Sequence, residues 1–95
     1  MQISKHHNVK LIFMRYHIGG YRSIHFYQEK LFQQLGVPYI NNRTLFVEAA
    51  KRGINPFGPD KWHPGDDGYL LIAKNIYNKM VSLGIVRGEP VEIFE

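Results

Sequence analysis

Two short apolar runs on either side of one helix-length amphipathic stretch limit most strongly what this chain can fold into. Val9 to Met14 is apolar apart from Lys10, which fits a strand covered on both faces, as in a parallel sheet, better than a strand with one wet face. The second run, Val37-Pro38-Tyr39-Ile40, also reads as a strand, with Pro38 tolerated near its start and Asn41-Asn42 ending it. Between the runs, Ser23 is a candidate N-cap for a helix with Ile24, Tyr27, Leu31 and Leu35 on one stripe. His25, Gln28, Glu29 and Gln33 fall mostly off that stripe, and Gly36 stops the helix. Strand, helix and strand joined by a crossover of this length imply a right-handed parallel unit. The linking stretch Arg15 to Arg22 then leaves the C-terminal end of the first strand, where open α/β sheets form ligand crevices. Gly19-Gly20 within it reads as a turn, since two glycines without a longer phosphate-loop pattern do not specify an anion cradle.

The second half is more helical. Thr44 can cap a helix over Leu45 to Arg52, closed by Gly53, and Ile54 to Pro59 is too rich in Pro and Gly to be regular. A longer helix over Tyr69 to Leu83 has its apolar stripe at Tyr69, Ile72, Ala73, Ile76, Met80 and Leu83, with Gly84 ending it. Asp66 and Asp67 fall in or just before its first turn, where the helix dipole favours negative charge. Val91-Glu92-Ile93 alternates after Pro90 and reads as an edge strand or a loose end.

Size and composition narrow the function classes. Ninety-five residues make one domain or part of one, burying about 60–65% of the unfolded surface, so the core is expected to be thin. The absence of cysteine excludes disulfides and thiolate metal sites. The apolar runs are too short to span a bilayer and the N-terminus lacks a signal-peptide pattern, so a soluble chain without a membrane partner is expected. A net charge of +4 comes from scattered Lys and Arg, which leave no clear nucleic-acid footprint. The pair His6-His7 reads as a solvated lead-in, because neighbouring side chains of an extended segment point to opposite sides. No cofactor motif is present, and neither a cofactor nor a resident metal is expected.

Chemistry concentrates in the loop Pro59-Asp60-Lys61-Trp62-His63-Pro64-Gly65-Asp66-Asp67-Gly68. Pro64 disfavours helical geometry at His63 and suits a helix start, so the imidazole is expected just ahead of the last helix. A histidine acting as general base needs its second ring nitrogen held by an acceptor, and Asp60 can supply one from the same loop. In the alternative arrangement Asp60 makes an Asx-type turn and His63 packs by its apolar body beside Trp62. A further alternative groups Asp60, His63, Asp66 and Asp67 around a divalent ion, although the helix dipole already accounts for the two adjacent aspartates.

The run D-K-W-H-P-G-D-D-G-Y-L-L-I-A closely resembles the last block of the SGNH (GDSL-type) hydrolases, in which D-x-x-H-P precedes a glycine and an aliphatic-alanine stretch. Here these are Asp60, His63, Pro64, Gly68 and Ile72-Ala73. The preceding strand, helix and strand also look like the segments that lead into that block. The resemblance implies an α/β fold with parallel strands, the C-terminal portion of a three-layer α/β/α flavodoxin-like architecture, with residues 1–95 forming a single partial domain. It further implies hydrolysis of esters or acyl groups by a Ser-His-Asp arrangement, with His63 as general base and Asp60 orienting it. The family's G-D-S nucleophile motif does not occur in this sequence. Ser4, Ser23 and Ser82 lie in I-S-K, R-S-I and V-S-L contexts. The chain is thus expected to carry the acid–base pair of such an enzyme without its nucleophile, and to act on an acylated small molecule or carbohydrate only when an N-terminal half completes it.

A second expectation comes from the binding class. A half-domain with two recognisable strands exposes sheet edges, which invite self-association or pairing with another chain. Nucleic acid is the weaker partner, because Trp62 and the six tyrosines have no basic stripe beside them.

Overall fold

The computed structural model describes residues 11–15 and 23–94, and the side chains of the first helix from Tyr27 onward. Ser4, His6-His7, Gly19-Gly20, the capping role of Ser23 and the side chains of Ile24 and His25 lie outside this description. The fold is mixed α/β. Strand β1 (Phe13–Arg15) is followed by helix α1 (Ser23–Gln34), strand β2 (Tyr39–Asn41), helix α2 (Asn42–Lys51) and helix α3 (Asp66–Ser82). The two strands pair in parallel, with Phe13 opposite Tyr39, Met14 opposite Ile40 and Arg15 opposite Asn41. A strand–helix–strand unit is thus present, although both strands begin later than the apolar runs suggest and extend one residue beyond them.

Helix ends follow the sequence closely. Gly36, Gly53 and Gly84 have φ of +68°, +77° and +73° and lie just past α1, α2 and α3. Beyond each, one amide reaches back across the last turn: Val37 to the Phe32 carbonyl at 2.9 Å, Ile54 to Ala49 at 2.9 Å and Ile85 to Met80 at 3.0 Å. This is the left-handed closure in which glycine avoids the Cβ penalty. The start of α2 differs from the expectation. Asn41, not Thr44, is its N-cap, its Oδ1 accepting from the Thr44 amide at 3.0 Å. Strand and helix therefore adjoin with no intervening loop.

The compact part of the molecule lies between α2 and α3. Leu45, Phe46, Ala49 and Leu71 are buried together, with Ile54, Phe57, Ile72, Ile93 and Phe94 packed around them. Phe46 meets the edge of Phe57 with ring centroids 5.4 Å apart, a favoured aromatic arrangement. The C-terminal segment lies against this core without forming a strand. Asn78 Nδ2 donates to the Val91 carbonyl and the Val91 amide donates to Asn78 Oδ1, each at 2.8 Å.

Two expected stripes are displaced. On α3 the inward positions are Gly68, Leu71, Ile72 and Asn75, whereas Tyr69, Ala73 and Leu83 are exposed. Asn75 sits on that inner face because its Nδ2 donates to Oδ1 of Asn42, which is only 2% exposed, at 3.2 Å. On α1, Tyr27, Leu31 and Leu35 are exposed, and Phe32 makes the contact with the sheet. Its ring stacks on Phe13 at 4.0 Å and on Tyr39 at 5.7 Å between centroids. Met14, on the other face of β1, is exposed, so the strand is not covered on both sides as expected.

Candidate functional site

The loop that joins α2 to α3 is built from the backbone outward. Phe57 and Pro64 form an isolated antiparallel bridge, and the Gly65 amide donates to the Pro56 carbonyl at 2.9 Å. Both prolines are buried. Gly68, in the first turn of α3, packs so closely that a Cβ there would fall inside the contact distance of the Pro56 carbonyl oxygen. Only glycine allows this approach, which seats the start of α3 against the base of the loop. Gly65 has extended backbone and is the N-cap residue of α3, and Asp66 and Asp67 occupy its first turn. Negative charge there complements the exposed amides of the helix start.

From this base residues 58–63 project as a closed turn. The Lys61 amide donates to the Gly58 carbonyl at 3.0 Å and the Gly58 amide donates to the His63 carbonyl at 2.8 Å. Inside the turn the two carboxylate oxygens of Asp60 divide their work. Oδ1 accepts from the backbone amides of Trp62 and His63, each at 2.9 Å. Oδ2 lies 2.6 Å from His63 Nδ1. The two readings of this loop were not exclusive. The Asx-type turn is present, and it is what points the second oxygen at the ring.

This geometry has a definite protonation consequence. An ionised carboxylate only accepts, so Nδ1 carries the hydrogen in the 2.6 Å contact, and a neutral ring keeps its lone pair on Nε2. The His63 side chain is 62% exposed and that of Asp60 51%, which leaves the outward nitrogen open to solvent. The His63 ring hydrogen bond, followed by those from the Trp62 and His63 amides, lowers the Asp60 pKa to about 2. The carboxyl is therefore ionised throughout the neutral range, as the orienting member of an acid–base pair has to be.

Sequence reasoning placed Asp60 and His63 together, and the structure brings them together. It does not bring Asp66 and Asp67 to them: among the described residues no three His, Asp or Glu side chains converge as a metal-holding group. Ser82 is also remote in role, its hydroxyl donating to the Lys79 carbonyl at 2.7 Å on α3. A separate open groove of about 670 Å³ lies between β2, α2 and the later turns of α3, bordered by Tyr39, Glu48, Asn75 and Lys79. No residue of the 58–63 turn lines it. Pro56 was missed as a site-supporting residue. The seat that Pro56 offers Gly68 depends on a contact across twelve residues, which no local pattern encodes. Among the described residues no helix is long and apolar enough to cross a membrane. Comparison of the chain with protein-family models, with curated proteins and with solved structures finds no match.

Proposed function

We propose that this chain is the C-terminal portion of an ester or acyl hydrolase of the SGNH type, in a three-layer flavodoxin-like fold, and that it supplies the Asp–His part of a Ser-His-Asp arrangement. The observation that carries the reading is the 2.6 Å contact between His63 Nδ1 and Asp60 Oδ2, with the ring exposed ahead of α3. In the reaction Nε2 of His63 takes the proton of a serine hydroxyl as its oxygen attacks the ester carbonyl. The same proton then passes to the departing alkoxide, while Asp60 stays ionised and steadies the imidazolium. The serine and the oxyanion donors come from polypeptide outside these 95 residues, and the substrate is an acylated small molecule or carbohydrate.

A further observation fits incompleteness. The described sheet has only two strands. The isolated chain is therefore inactive, since the oxyanion hole supplies much of what remains when a triad member is lost. The assay is turnover of a short-chain aryl ester by purified chain: a rate no greater than that of free imidazole is expected, and turnover abolished by His63→Ala would overturn the dependence on a second segment. The encoding DNA upstream of the Met1 codon gives the complementary test. An in-frame G-D-S followed by G-x-N supports the reading, and a stop codon directly upstream counts against it.

Exposed apolar side chains favour a second reading, a non-catalytic module that self-associates or binds a partner through the sheet edge. Met14, Tyr27, Leu31 and Leu35 are the exposed apolar side chains that motivate it. Sedimentation over a hundredfold concentration range separates the cases: a concentration-independent monomer with a sharp unfolding transition eliminates the self-associating module.

A further inference from the structure

Among the described residues a single non-glycine residue has positive φ, Lys61 at 60°. Left-handed backbone crowds Cβ against the following carbonyl, and lysine lacks the short polar side chain with which Asn or Asp offsets that cost. The residue lies inside the turn that carries Asp60 and His63. The Gly58 carbonyl accepts from the Lys61 amide at 3.0 Å, and the Gly58 amide donates to the His63 carbonyl at 2.8 Å. Between these two bonds the chain has to reverse. The reversal at Lys61 aims two successive amides, those of Trp62 and His63, at Asp60 Oδ1. Extended backbone at Lys61 would instead carry each later residue about 3.3 Å further along the strand direction, away from Asp60. The Lys61 side chain is exposed and forms no ion pair among the described residues.

We infer that Lys61 is a positioning residue: its left-handed backbone, not its charge, holds the Asp60 carboxylate on His63 Nδ1 and so fixes the tautomer that leaves Nε2 as proton acceptor. The inference rests on the reading of Asp60 and His63 as an acid–base pair and names the feature that sets its geometry. Strain stored at a functional turn persists because the surrounding hydrogen bonds over-determine it.

The test uses the full chain and nitrogen-15 NMR of the His63 ring, together with the titration of the Asp60 carboxyl. The unsubstituted chain should show the Nδ1–H tautomer and an Asp60 midpoint near 2. Failure at this first step overturns the reading of the site itself. Lys61→Gln, which keeps the side-chain length without the charge, should leave both signals unchanged; their loss would assign the effect to charge and overturn the inference. Lys61→Val, whose branched Cβ tolerates left-handed backbone poorly, should lose the tautomer preference and raise the Asp60 midpoint by more than one pH unit while helix content is kept. Retention of both signals in Lys61→Val would also overturn it. Lys61→Gly relieves the strain, so it should keep both signals and melt about 2–5 °C higher, and a lower melting temperature would count against the inference even if the valine variant fails to fold.

Discussion

The two sides of this small molecule are held together very differently. Around α2, α3 and the loop between them, buried Leu45, Phe46, Ala49 and Leu71 are closed over by Phe57, Ile72, Ile93 and Phe94, and the loop backbone is pinned to the start of α3. Around β1 and α1, Phe32 stacks on Phe13 and Tyr39 and Val37 and Ile40 are buried, while Met14, Tyr27, Leu31 and Leu35 are exposed. The Asp60–His63 pair sits on the well-packed side. The contrast shows that a precise hydrogen-bonded site needs one firm wall beneath it, and that such a wall can be supplied by half of a layered fold.

Substitutions on the two sides should break or sharpen this contrast. The largest effect is expected for Phe46→Ala, which empties the centre of the packed side; a loss of about 3–5 kcal/mol, enough to leave the α2–α3 core largely unfolded, should appear in urea denaturation. Gly68→Ala comes next. It forces α3 away from the Pro56 carbonyl at a cost of about 1–3 kcal/mol, and the same variant should disturb the His63 ring signals although its helix propensity improves. Asn41→Ala removes the cap of α2 and should cost about 1 kcal/mol in thermal unfolding, with no change at His63. The Asp60 carboxyl is half-exposed and acts through acid sensitivity. Its folded pKa of about 2 lies below the ordinary aspartate value of 3.8, so the unfolded chain binds more protons between those values and stability falls with acidification through that window. Its contribution is complete above the unfolded value and gone below the folded one, and Asp60→Asn should flatten that part of the stability–pH curve. The smallest effect is expected on the open side, where Leu31→Ala should change the stability of the isolated chain by less than about 0.5 kcal/mol. A large loss there would mean that α1 is already covered in solution, which sedimentation of the same variant would reveal.

Much of the local architecture was legible because local chemistry decides it. Three glycines after apolar stripes marked three helix ends, and all three adopt the left-handed conformation that makes them stops. The aspartate, two intervening residues and the histidine before Pro64 were enough to expect the ring and carboxylate together, since an Asx-type turn needs nothing from elsewhere in the fold. The burial of helix faces was less legible. Periodicity shows that a helix has an apolar side, but the covered face depends on the neighbours that exist. The described members of the expected stripe, Tyr27, Leu31 and Leu35, are exposed, and Phe32, one position from Leu31, takes the contact with the strands. The inner stripe of α3 was hidden by Asn75, a polar residue placed inward by its bond to Asn42, and by Gly68, which carries no side chain to register as apolar.

The sequence by itself determined the strand–helix–strand order, the helix stops and the partnership of Asp60 with His63, because each follows from backbone preference or from side chains within a few residues. Tertiary structure alone decided that Gly68 meets Pro56, that Asn42 is buried against Asn75, and that Leu31 and Leu35 are left exposed. These outcomes depend on surfaces brought together across long stretches of chain, where the energy comes from excluding water and filling space between elements, and no local pattern encodes which surfaces will meet.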